Sequence, residues 1–252
     1  MVKSTRDVNK PFISHLQELR SRFLICLLIF LSGSVLGYII QDKILYLLLL
    51  PLDQALYYSS PAGGFNFTFG LAFLFGFLIT IPFFIFHTLR FIEPALPDKV
   101  KHSFIMIFLS ASLLMLFGII FAYFVSLPAA LHFLGKFTST QVKSLISTGE
   151  YLSFVTRYLI GFGVIFQLPL VMLVVNQINK LDVKTLVKLL RWVVLLSFVI
   201  AGIITPTPDL YNQVLMAVPI IVLYLLSAGS VWFVNGRTVQ ASHLGRMGSK
   251  AT

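Results

Sequence analysis

From residue 103 to residue 131 the chain carries no Asp, Glu, Lys or Arg, and comparable uncharged windows run over 23–40, 65–89, 158–179, 192–205 and 210–236. A helix that crosses a bilayer needs about 20 apolar residues, range about 17 to 25. Four windows reach that length outright, and 210–236 does so once its polar ends are trimmed. Leu, Ile, Phe and Val dominate the runs, which are too long for strands. Lipid offers the backbone no hydrogen-bond partners, so helices are the expected spanning structure. With 58% hydrophobic and 11% charged residues, the chain is also far more apolar than a soluble domain, where about 45–50% is usual. The fifth window is the exception: residues 192–204 would rise only about 20 Å against a hydrocarbon core of about 30 Å. Such a short segment must thin the bilayer or be shielded by neighbours.

Charge sets the expected orientation. Of the 19 Lys and Arg, fifteen fall in the N-terminal tail, the second-to-third and fourth-to-fifth connections and the C-terminal tail. Three (Lys43, Lys136 and Lys143) fall on the other side, and Arg157 is left near the outer end of the fourth helix. The positive-inside rule then places both termini in the cytoplasm. The net charge of +10 is accounted for by these stems, and no aromatic-basic module that would bind nucleic acid is visible. The first window lacks a small-residue cleavage site and is too long for a signal-peptide core, so it reads as a retained helix.

Polar residues at membrane depth are the default functional candidates, because each costs free energy unless it is paired or faces a cavity. Gln167, two residues before Pro169, either hydrogen-bonds a neighbouring helix or lines a groove; Arg157 either snorkels outward or does the same. The single cysteine, Cys26, excludes a disulfide framework. His15, His87, His102, His132 and His243 are scattered, and no HExxH, GxSxG or phosphate-cradling glycine loop is present. The expectation is a protein without catalytic residues, cofactor or metal. At the entrance to the first window, Phe12, Leu16, Leu19 and Phe23 recur on one helix face while His15, Glu18 and Arg22 share another. Glu18 and Arg22 can pair at i, i+4. The segment reads either as an interfacial helix or as one that presents Glu18 to a cationic ligand. TPTPD at 205–209 reads as a tight turn with Asp209 at its rim and Gln213 one helical turn on.

Six motifs in order, HLQELRSRF, LLLLPL, FIEPALPDKVKH, YLSFV, FGVIFQLP and TPTPDLYNQ, resemble those of the TatC family, the receptor subunits of twin-arginine protein translocases. The resemblance covers about residues 11–237. It implies an all-α polytopic membrane protein with six transmembrane helices, a cup-shaped bundle, short fifth and sixth helices and both termini cytoplasmic. It further implies a non-enzymatic receptor in a bacterial-type inner membrane or its organellar counterpart. Such a receptor binds the twin-arginine signal peptides of folded cargo, assembles with single-span partners of the TatA and TatB type and with copies of itself, and uses the proton-motive force.

Residue by residue, the resemblance assigns Glu18 to the signal's arginines, with Arg20 and Leu16 in the same motif and Phe91, Pro94 and Leu96 in the FIxPxL element. Pro51, Gln167, Asp209 and Gln213 fall at groove or partner-interface positions. The chain departs from the family where a second signal-binding glutamate is usual: Val100 stands there, and Asp98 is expected to supply part of the missing charge. Gln167 and Leu225 also replace usual acids. The expected organisation is a single transmembrane domain over 1–237, with spans near 23–41, 67–89, 103–126, 154–176, 191–205 and 213–234, and a basic tail over 238–252. Small-xxx-small contacts look sparse, so partners are expected on exposed apolar surface of the fifth and sixth helices and the outer segments. The rival reading is a small secondary transporter or channel, against which the absence of matching halves and of midplane charges argues.

Overall fold

The computed structural model describes residues 12–52, 54–93, 97, 101–136, 145–205 and 210–248, with backbone alone for 12–16, 183 and 236–248. Nine α-helices are described: α1 (Phe12–Ile39), α2 (Gln41–Leu49), α3 (Gly63–Ile92), α4 (Phe104–Phe121), α5 (Leu127–Gly135), α6 (Thr148–Ile165), α7 (Leu168–Ile178), α8 (Val183–Ile204) and α9 (Leu210–Gly248). They supply six segments long and apolar enough to cross a membrane, with α4 and α5 joined in the third and α6 and α7 in the fourth. Their outer surfaces explain why lipid is required. Ile105, Met106, Leu113, Phe117 and Phe124 on one segment are each more than 60% exposed, an apolar stripe that a water-soluble protein would not leave open.

The chain divides into two compact units. The first contains α1, α2 and α3. α1 and α3 run antiparallel and approach closely because small residues face each other: Gly33 lies against Gly76, and Gly37 against Ala72. A Cβ at Gly76 would stand 2.3 Å from the Ser34 hydroxyl and 2.7 Å from the Phe30 carbonyl. Gly33 and Gly37 are thus a small-xxx-small pair at this seam. Ser34 and Thr80, buried at this seam, satisfy their hydroxyls on Phe30 and Gly76 carbonyls at 2.8 and 2.7 Å. α2 packs on α3 and buries Leu48 while Tyr46 and Leu47 stay exposed. The apolar segment after the first span is therefore an amphipathic helix.

The second unit holds α4 to α9 and a two-residue parallel ladder that pairs Leu56 and Tyr57 with Ile146 and Ser147. Between α4 and α5 the chain makes a π-helical turn, Ala122–Ser126, in which the Leu127 amide donates to the Ala122 carbonyl. Pro128 follows directly. Its ring cannot donate and would clash with the carbonyl four residues back, and the wider π turn lets the segment continue past it. α6 is the core helix: Tyr151, Val155, Tyr158 and Phe162 are almost wholly buried. Gly118 admits α6 against α4, since a Cβ there would meet the Phe162 carbonyl at 2.7 Å.

The fifth helix is longer than its uncharged window. α8 has 22 residues and begins at an Asp182 cap whose carboxylate accepts the Lys184 amide at 3.3 Å. Lys184, Lys188 and Arg191 are good helix formers, and Leu186 among them is buried under α9, where Tyr224 Oη donates to its carbonyl at 2.8 Å. Charge ended the window without ending the helix. The resemblance implies a short sixth helix as well, whereas α9 continues for 39 residues, of which 210–235 form the apolar part.

Candidate functional site

The entrance of α1 carries the residues that the motifs single out. Arg22 is the organising side chain: its guanidinium lies 2.5 Å from the Glu18 carboxylate and also donates to the His87 carbonyl of α3 at 3.4 Å. Gly37 opposite Ala72, Gly33 opposite Gly76 and Arg22 opposite His87 define one antiparallel register. One helical turn further in that register sets Phe91 level with Glu18. Glu18 and Phe91, predicted from separate motifs, are thus brought to the same end of one helix pair. Phe91 is half-buried, Arg20 is exposed, and Arg20 makes no hydrogen bond or ion pair among the described residues.

The electrostatics favour a guanidinium. The Glu18 side chain is 31% exposed, so it remains reachable, yet it is partly withdrawn from water, where a carboxylate attracts a cation more strongly than in bulk. Guanidinium can meet a carboxylate through two parallel N–H bonds, which an ammonium cannot. A second pair lies at the same end of α3, where Arg90 is 2.5 Å from Glu93. Each described acid here therefore already holds an arginine. Leu16 lies on α1 with its side chain outside the described residues, as are Pro94, Leu96, Asp98 and Val100 altogether.

Two of the groove residues make hydrogen bonds between helices. Gln167 lies in the turn between α6 and α7, and its Nε2 donates to the Ala111 carbonyl of α4 at 3.1 Å. Of the two readings of this residue, the structure has the hydrogen bond to a neighbouring helix. Gln213 on α9 donates to the Phe198 carbonyl of α8 at 3.0 Å. Gly202 makes room for it, since a Cβ there would stand 2.8 Å from Gln213 Nε2. Pro51 lines a cleft of about 510 Å³ with Pro128, Leu131 and His132, and Asp209 lies outside the described residues.

Sequence reasoning passed over Asn176 and Asn235. Their amides bond reciprocally at 3.0 and 3.2 Å, while Asn176 Oδ1 also accepts the Leu181 amide at 2.9 Å and Asn235 donates to the Leu181 carbonyl at 3.1 Å. Two asparagines near the same ends of two apolar windows were the available signal. Among the described residues no three His, Cys, Asp or Glu side chains are grouped as a metal site would need.

Residues 14–219 match the profile of the family described as Sec-independent protein translocase protein (TatC). A TatC of Aquifex aeolicus is 34% identical over 224 residues, covering 86% of this chain and 92% of that protein. One from Carboxydothermus hydrogenoformans is 30% identical over 232 residues, covering 91% and 96%. A crystal structure described as the twin-arginine translocase receptor TatC superposes with a TM-score of 0.77 at 32% identity, covering 88% of this chain and 99% of that one. The order of six apolar helices, the entrance motif and these likenesses agree: the chain is a membrane component of the Sec-independent protein translocase and belongs to the TatC family.

Proposed function

We propose that this chain is the signal-peptide receptor and assembly core of a twin-arginine translocase, with the α1 entrance as the site that reads the arginines. The observation that carries the reading is the half-buried Glu18 carboxylate, which already holds a guanidinium and lies level with Phe91. An incoming signal arginine takes the place that Arg22 occupies. Arg20 and Leu16 frame the entrance, and Phe91, Pro94 and Leu96 receive the apolar residues that follow the arginines. Asp98 supplies a second carboxylate where Val100 leaves none.

Both termini and this entrance face the cytoplasm of a bacterial-type inner membrane, in keeping with the distribution of Lys and Arg. The transmembrane domain ends near residue 237, and the remainder is a basic cytoplasmic tail. TatA- and TatB-type single-span proteins and further copies of the chain bind at the surface that includes Pro51, Gln167, Asp209 and Gln213, and cargo moves outward at the expense of the proton-motive force.

The test is export of a folded reporter behind a twin-arginine signal in cells whose sole TatC is this chain. Glu18→Gln abolishes export while the protein stays at wild-type level in the membrane. Asp98→Asn beside it separates the two acids: reduced export supports a second carboxylate, and unchanged export makes Asp98 a bystander. Full export by Glu18→Gln contradicts the reading.

A further inference from the structure

Arg157 is the tenth residue of α6 and lies inside the fourth apolar segment. Its side chain is exposed, and among the described residues it has no hydrogen bond or ion pair. A guanidinium in that position is costly unless something meets it. Two concavities do meet there. Towards the start of α6, Arg157 closes a cleft of about 650 Å³ whose polar walls include Glu150, Ser153 and Gln54. In the opposite direction it heads a groove of about 560 Å³ walled by Ile160 and Val164 of α6 and by Ile200 and Ile203 of α8.

The shape and charge select an occupant. The groove runs along α6 and α7 from Thr156 to Leu168, about 18 Å at 1.5 Å per residue, against about 15 Å for one leaflet of a 30 Å hydrocarbon core. An extended acyl chain of one leaflet matches that length, and the opposite charges of Arg157 and Glu150 at its head match a zwitterionic headgroup. Glu150 and Arg157 share a face, two helical turns apart. A long side chain leans towards the start of its helix, so Arg157 reaches into the cleft that Glu150 lines.

We propose that the cleft and groove joined at Arg157 bind one aminophospholipid. Its phosphate sits on Arg157 and its ammonium on Glu150, and one acyl chain lies along Ile160, Val164, Ile200 and Ile203. Guanidinium suits a phosphate, and Glu150 disfavours a headgroup of net negative charge. The site is independent of the signal-reading entrance.

The experiment is native mass spectrometry of the purified full chain in detergent doped with equimolar phosphatidylethanolamine and phosphatidylglycerol. Wild type retains one phosphatidylethanolamine in at least fivefold preference. Arg157→Gln lowers that retention by about tenfold, as loss of a charge-assisted bidentate contact implies, and Arg157→Lys restores part of it, which excludes misfolding as the cause. Ile203→Trp, which plugs the groove, lowers retention with Arg157 intact. Glu150→Gln brings phosphatidylglycerol up to parity. Equal retention by wild type and Arg157→Gln overturns the site, as does an unchanged headgroup preference in Glu150→Gln. Cross-linking from position 203 to a single-span protein that added phosphatidylethanolamine does not reduce also overturns it, in favour of a helical partner.

Discussion

The Glu18 carboxylate lies 2.5 Å from the Arg22 guanidinium, one turn further along α1, so the acid assigned to cargo arginines is occupied before cargo arrives. The occupant is incompletely satisfied, because Arg22 Nε is buried without a hydrogen-bond partner among the described residues. A partly exposed pair of this kind contributes about 0–1 kcal/mol, little enough for a peptide arginine to exchange with it. Arg22→Gln is therefore expected to tighten binding of a twin-arginine peptide by up to about fivefold, the equivalent of about 1 kcal/mol. Fluorescence anisotropy with a labelled peptide checks it, and weaker binding would mean that Arg22 contributes to the site.

Gly76 and Gly229 separate the two ways a helical glycine matters. Gly76→Ala forces a methyl to within 2.3 Å of Ser34 Oγ, whereas a Cβ at Gly229 has nothing within 4 Å. The first is expected to cost about 1–3 kcal/mol through overpacking of the α1–α3 seam. The second should be neutral or stabilising by up to about 1 kcal/mol, since alanine is the better helix former. Thermal unfolding in detergent, followed by loss of soluble monomer, ranks the two.

At Gln167 the usual glutamate of the family would place a carboxylate against the Ala111 carbonyl, which Gln167 Nε2 now meets at 3.1 Å. Gln167→Glu replaces that amide donor with a side chain that only accepts when ionised, which leaves the carbonyl unmet, and is expected to cost about 1–3 kcal/mol. Equal melting temperatures of the variant and wild type in detergent would contradict the bond.

The Asn176–Asn235 clamp offers a further test of the helix packing. Asn176→Ala removes the acceptor of the Leu181 amide and one of the partners of the Asn235 side chain and is expected to cost about 1–3 kcal/mol. Ser230→Ala is the comparison. Its exposed hydroxyl bonds only the Leu226 carbonyl of its own helix at 2.9 Å, and the change should stay within about 0.5 kcal/mol. Equal loss of melting temperature in both would remove the clamp from the account.

Much of this fold was legible because lipid makes hydrophobicity and charge report directly on depth. Each uncharged window became a spanning segment, and the i, i+4 spacing of Glu18 and Arg22 became an ion pair. What remained hidden depends on pairing between distant residues. Gly33 and Gly37 are visible as a spacing, but only Ala72 and Gly76 opposite them make that spacing a seam. The start of α8 was masked by Lys184, Lys188 and Arg191, whose charge interrupts an apolar window while their propensity extends the helix. Gln167 stands out in the sequence as polar at depth, and Gln213 as lying one helical turn from Asp209. Their amides meet backbone carbonyls of adjacent helices, and neither carbonyl can be located from sequence alone.

The claim that Glu18 reads arginines is tested most directly by photo-cross-linking. A photoreactive residue at Gln17, next to Glu18, is exposed to a twin-arginine signal peptide, to its twin-lysine counterpart, and to the twin-arginine peptide in a Glu18→Gln background. The account predicts strong labelling in the first case and at least tenfold less in the other two, because an ammonium cannot reproduce the paired N–H contact. Equal labelling by the two peptides, or labelling that survives Glu18→Gln, would contradict it.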